Sequence, residues 1–136
     1  MKFREATKED FNFLAQHSIS RGKMHPERID YVCTLEHEGK PLCLGGFKLM
    51  NYDTAWCWVD IADTAGGHTI AMYRVIKEWI DEFIKDHDLT RLQATVECDF
   101  EEAIRMVQHL GFKKESIMKK YVNGKDAFCY VRLRGE

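Results

Sequence analysis

The sequence predicts a mixed α/β domain of the α+β kind, with elements in the order β-α-α-β-β-β-α-β-α-β-β. Three observations carry this. Between Tyr31 and Ile61, three apolar or β-branched runs follow one another with turn signals between them, as in an antiparallel meander. From Thr69 to about Lys85, apolar residues return every three or four positions, as on one face of a helix. Near the end, Asn123-Gly124 separates two strand-like runs and supplies the positive φ angles of a type I′ hairpin turn.

The elements follow in order. Lys2–Glu5 reads as a short first strand. Thr7, with Asp10 three residues on, marks a helix start that buries Phe11 and Leu14. Periodicity fades from His17 to Glu27, although Pro26 suits the first position of a short second helix covering Ile29. Tyr31–Glu36 and Pro41–Leu49 flank Glu38-Gly39-Lys40 as a hairpin. Gly45 and Gly46 in its second arm point to a bulge or to the close approach of another backbone. Thr54–Ile61 is a tryptophan-rich third strand of the meander. The helix from Thr69 buries Met72, Tyr73, Ile76, Trp79, Ile80, Phe83 and Ile84. Arg91–Glu97 is the next strand. Asp99 with Glu102 resembles a capping box for a helix over Glu101–Leu110 that Gly111 stops. Ser116–Val122 and Ala127–Leu133 form the final hairpin.

The chain of 136 residues is expected to form a single domain, residues 1–136. With 45% hydrophobic and 31% charged residues and only 2 prolines, it has the balance of a folded protein rather than a disordered one. The formal net charge of −2 argues against a general nucleic-acid binder. The basic segment from Lys113 onward reads as a solvated hairpin face and lacks an RNA-stacking motif. Neither a secretory leader nor a membrane span is visible, so a cytoplasmic location is expected, with no membrane partner. Oligomeric state is left open. The five cysteines, Cys33, Cys43, Cys57, Cys98 and Cys129, are expected to be reduced, and no metal site is expected from their spacing.

Several stretches resemble the acetyltransferase superfamily related to Gcn5, called GNAT. "FREATKEDFNFL" is similar to that family's first strand and helix, "EHEGKPLCLGGFKL" to its second and third strands, and "EEAIRMVQHLGFKKE" to its fourth helix. The resemblance spans essentially the whole chain. It implies a mostly antiparallel central sheet flanked by helices, and transfer of acetyl from acetyl-CoA to an amine on a small molecule or protein. A fainter similarity is to small GNAT-like proteins of short-tailed phages. That implies an inactive binding or virion-associated protein as the alternative, in the host cytoplasm or the virion.

In the family, a glycine-rich loop after the fourth strand opens the main helix and holds the pyrophosphate of coenzyme A on its amides. The resemblance places that motif on Thr64-Ala65-Gly66-Gly67-His68-Thr69, in the register of Val59 and Ile61. The physics is that of any helix N-terminus, where several amides lack intrahelical partners and the macrodipole adds about half a positive charge. Only Gly67 matches the pattern outright. Thr64 stands where glutamine or arginine is usual, and Thr69 replaces a small residue while offering a hydroxyl. The alternative is that Gly66-Gly67 only turns the chain and that His68 is an exposed loop residue.

The resemblance also places Val107 where active members often carry a tyrosine that protonates the leaving thiolate, and valine has no proton to give. An ammonium acceptor must lose a proton before it attacks, so a general base is needed, and many members use a strand carboxylate. Asp60 and Glu97 stand at such positions, near Trp56 and Trp58. Their plain readings are a solvent-facing or turn-stabilising acid for Asp60 and a strand-end charge for Glu97. Direct attack needs no covalent enzyme intermediate.

Overall fold

The computed structural model describes residues 1–19 and 30–136. Its elements are β1 (Lys2–Glu5), α1 (Lys8–His17), β2 (Tyr31–His37), β3 (Lys40–Asn51), β4 (Thr54–Ile61), a 3-10 turn (Asp63–Ala65), α2 (Thr69–Asp86), β5 (Arg91–Glu97), α3 (Glu101–His109), β6 (Lys113–Val122) and β7 (Lys125–Leu133). The strands form one seven-stranded sheet in the order β1-β2-β3-β4-β5-β7-β6. The β4–β5 pair is parallel, while β1–β2, β2–β3, β5–β7 and β6–β7 are antiparallel. This is the mixed, mostly antiparallel sheet expected. The short helix expected around Pro26 and Ile29 lies outside the described residues.

Packing divides the chain into two compact units, Met1–Lys48 with Cys57–Met72, and Leu49–Trp56 with Tyr73–Glu136. In the first, Leu14, Leu35, Leu42, Leu44, Phe47 and Trp58 are buried. Thr7 caps α1 as expected. Its hydroxyl accepts from the Asp10 amide at 3.3 Å while the Asp10 carboxylate accepts from the Thr7 amide at 2.8 Å.

Asp10 does more than cap. It is 4% exposed and receives both terminal nitrogens of Arg4 at 2.7 and 2.8 Å and the Thr34 hydroxyl at 2.8 Å. Arg4 Nε meanwhile reaches Glu36 at 2.7 Å. The Arg4 fork holds the Asp10 carboxyl well below the ordinary carboxylate range, against the opposing effect of burial, and the Thr7 and Thr34 donors lower it further. Register makes this possible, because β1 pairs with β2 as Arg4↔Thr34 and so sets the cation beside the hydroxyl.

The two glycines of β3 mark a close approach, as anticipated. A Cβ on Gly46 would strike the Tyr31 carbonyl oxygen, and it would lie 3.1 to 3.2 Å from the Trp58 indole. On Gly45 it would sit 3.2 Å from the Trp58 carbonyl. Backbone and indole therefore occupy the space that side chains would need.

In the second unit, α2 buries Ile76, Ile80 and Phe83 at helical steps, and α3 buries Met106 and Val107. Arg132 of β7 ties both helices down, through Asp81 of α2 at 2.7 Å and the Leu110 carbonyl after α3 at 3.4 Å. Burial raises the Asp81 carboxyl, but Arg132 and Lys77 together hold it below the ordinary carboxylate range. The expected Asp99–Glu102 cap is not formed. Phe100 is the N-cap with no side-chain hydrogen bond, and Asp99 faces Lys125 at 3.7 Å. The hairpin turn has Asn123 at φ 51° and Gly124 at φ 75°, the left-handed pair that its sequence demands.

Candidate functional site

The loop between β4 and α2 lies in the first unit together with the α2 N-terminus. After Ile61 the chain makes a single 3-10 turn, in which the Ala65 amide donates to Ala62 at 3.1 Å and the Gly66 amide to Asp63 at 3.2 Å. The His68 amide then donates to Ala65 at 3.0 Å, and the first helical bond runs from Met72 to His68 at 2.9 Å. The amides of Ala65, Gly66 and His68 are thus committed to the turn. Those of Gly67, Thr69, Ile70 and Ala71 have no acceptor among the described residues. Gly67 holds φ +84°, a left-handed conformation that turns the chain into the helix, and a Cβ there would meet nothing within 4 Å.

The three α-helices among the described residues differ at their N-termini. The first turn of α1 carries Glu9 and Asp10, and that of α3 carries Glu101 and Glu102, so each meets the positive end of its dipole with its own acids. The first turn of α2 carries none. It is solvent-facing instead, with Gly66, Gly67, Thr69 and Ala71 exposed and Ile70 78% exposed. Over 18 residues the helix gathers a full macrodipole of roughly half a positive charge, met by no acid of its own first turn.

Flanking residues divide between loop support and the loop mouth. The Thr64 hydroxyl donates to the Pro41 carbonyl at 2.5 Å, so it buttresses the base of the loop. The His68 ring stands edge-on to His37, with centroids 4.9 Å apart, on the β2 side of the α2 N-terminus. Val59 is half-buried on β4, and the Ile61 carbonyl accepts from the Ile19 amide at 2.8 Å.

The two candidate carboxylates have different surroundings. Asp60, half-buried on β4, accepts a hydrogen bond from the Ser18 hydroxyl at the end of α1. Glu97, in the second unit, closes β5 opposite Ala127 and is only 4% exposed, where a strand-end charge would ordinarily face solvent. Its Oε2 is sealed from solvent with no hydrogen-bond partner among the described residues. An ionised carboxylate in that state lacks the donors that normally offset its burial. Thr95, two positions back on β5, accepts a hydrogen bond from Trp56 Nε1 of β4 at 3.3 Å. Val107 is 8% exposed and offers no proton.

Neither cysteine of the β2–β3 pair is an activated nucleophile, since burial pushes Cys33 up to about 11 and Cys43 up to about 12. Among the described residues no group of three His, Cys, Asp or Glu side chains is arranged to hold a metal ion. No helix among them is long and apolar enough to cross a membrane.

The sequence matches no family model and no curated protein. Solved structures match over nearly the whole chain. A variant of the spermidine N-acetyltransferase SpeG from Vibrio cholerae superposes with a TM-score of 0.79 at 14% identity, covering 98% of this chain and 93% of that one. The ribosomal-protein-S18-alanine N-acetyltransferase from Escherichia coli gives 0.74 at 16% identity, covering 97% and 92%. A GNAT-family acetyltransferase from Bacillus anthracis gives 0.67 at 18% identity, covering 78% and 68%. The chain therefore has the GNAT fold.

Proposed function

We propose that this protein is an acetyl-CoA-dependent N-acetyltransferase, with the cosubstrate's pyrophosphate held by the amides of Gly67, Thr69, Ile70 and Ala71. The observation that carries the reading is this set of amides without acceptors among the described residues, at a helix start free of acids, in a chain with the GNAT fold. A phosphate oxygen is the partner that such a group of donors takes best. Gly67 gives the close backbone approach that a side chain would obstruct. The His68 ring stands beside His37 at the mouth of the loop.

Within the second unit, Glu97 is the carboxylate whose own surroundings suit a general base. A buried carboxylate oxygen without a donor is stabilised by an ammonium group, and the same oxygen can then take the proton that frees the amine. Attack forms the new C–N bond as the thioester C–S bond breaks, and the departing thiolate is protonated from solvent because Val107 cannot serve. The acceptor is an amine. The named activities of the neighbours cover both a small polyamine and a protein N-terminus, and either class suits this reading.

A second reading is favoured by Val107 and by the engagement of Thr64 with Pro41. In it the protein binds the nucleotide but does not turn it over. Release of free thiol from acetyl-CoA, followed across pooled polyamines, amino acids and short peptides, separates the two. Acceptor-dependent release that falls at least about 100-fold in Glu97→Gln supports the transferase. Binding of CoA without release under any acceptor supports the second reading, and absence of binding removes both.

A further inference from the structure

We propose that Asp60 is a positioning residue: through Ser18 it fastens the end of α1 to the strand that delivers the anion-binding loop, and this tie sets the affinity for nucleotide. The inference rests on the acetyl-CoA reading for its ligand, but not for its geometry.

Four successive residues leading into the loop are fastened to the end of α1. Asp60 accepts from the Ser18 hydroxyl, and the Ile61 carbonyl accepts from the Ile19 amide at 2.8 Å. Ala62 forms an isolated antiparallel bridge with Ser18, and Asp63 meets His17 Nδ1 at 3.2 Å. The His17 ring is itself stacked on Phe13 at a centroid distance of 4.3 Å. On the opposite side the same segment is held by β3, through the Ala62 amide to Leu42 at 2.9 Å and the Thr64 hydroxyl to Pro41 at 2.5 Å. Asp63 then passes the constraint on, because its carbonyl receives the Gly66 amide.

The base of the loop is thus gripped from two sides, immediately before the amides that have no acceptor among the described residues. A loop already fixed in its binding shape loses little freedom when an anion arrives, so the grip appears as affinity. Among the described residues, Asp60 is the carboxyl side chain that accepts from the Ser18 hydroxyl. Its Oδ1 accepts from the Ser18 hydroxyl, and that contact is the one the positioning role uses. Ser18 needs only an oxygen to accept its proton, so an amide in place of the carboxylate preserves the tie.

Two measurements on the full-length protein test this, with Ser18→Ala, Asp60→Ala, Asp60→Asn and the Ser18→Ala/Asp60→Ala pair. Hydrogen exchange without ligand should show the Gly66 and His68 amides exchanging about 10-fold faster in Ser18→Ala and Asp60→Ala, and at the wild-type rate in Asp60→Asn. Calorimetry with CoA should show about 10-fold weaker binding in each alanine variant, no further loss in the pair, and rescue to within about 2-fold in Asp60→Asn. Wild-type exchange and affinity in both alanine variants would overturn the proposal. So would an Asp60→Asn protein that keeps CoA affinity but loses turnover, since Asp60 would then be handling the proton. If the wild type binds no CoA, the acetyl-CoA reading falls by itself, and the exchange measurement alone decides whether the tie exists.

Discussion

The chain contains two Gly-Gly pairs in its first unit, and they do opposite things. Gly45-Gly46 is inside β3, where a Cβ on Gly46 would collide with the Tyr31 carbonyl and crowd the Trp58 indole. Gly66-Gly67 lies at the exposed mouth of α2, where a Cβ on Gly67 would meet nothing and only φ +84° demands glycine. One pair is required by what surrounds it, the other by the path of the chain and the amides it leaves bare. The same dipeptide is therefore a packing feature in one place and, in the proposed function, a binding feature in the other. Mutation separates them by whether stability or affinity moves.

The largest effect is expected at Gly46. Gly46→Ala forces backbone against backbone in a packed interior and should cost at least about 3 kcal/mol, or prevent folding, as read by denaturant unfolding. Gly45→Ala, with 3.2 Å to the Trp58 carbonyl, should cost less.

Next comes the polar scaffold beneath the first pair. Asp10→Asn breaks a bidentate ion pair to an arginine that remains partly exposed, and should cost about 2–3 kcal/mol at neutral pH with CoA affinity unchanged. Because the Asp10 carboxyl titrates below its unfolded value, its contribution is fully present above the ordinary carboxylate range and is lost as pH falls. The gap between wild type and Asp10→Asn should therefore narrow below about pH 4 in acid unfolding curves.

At Gly66-Gly67 the proposed function predicts the reverse balance. Gly67→Ala should cost only about 1 kcal/mol of stability, from the left-handed conformation, while weakening CoA by about 10-fold in calorimetry. Gly66 has φ −55° and a Cβ there would lie 3.5 Å from the Asp63 carbonyl, so Gly66→Ala should stay within about 0.5 kcal/mol of wild type. Equal effects at Gly66 and Gly67 would erase the distinction between them.

What could be read from the sequence was local. The Thr7–Asp10 box, the Asn123-Gly124 turn and the period of α2 each depend on residues a few positions apart, and the glycine pair Gly45-Gly46 signals a close approach by its own lack of side chains; each is present in the structure. What could not be read depends on partners far along the chain. Arg4, Asp10, Thr34 and Glu36 meet only once β1 and β2 are in register, and Ser18 reaches Asp60 across 42 positions. The Asp99–Glu102 cap failed for a related reason. Asp99 is drawn toward Lys125, and Phe100 takes the capping position. The burial of Glu97 gave no signal, because a carboxylate at a strand end is ordinarily solvated and only the packed chain seals it. The loop was legible as a glycine turn into a helix. Which of its amides the turn itself would consume was not.

The most direct test is an amide NMR titration of the protein with CoA, followed to about 1 mM ligand. The account predicts the largest shifts at Gly67, Thr69, Ile70 and Ala71, with smaller ones at Ala65 and Gly66, whose protons are already engaged within the turn. Unchanged resonances at those four positions, while CoA binds elsewhere or does not bind, would contradict it.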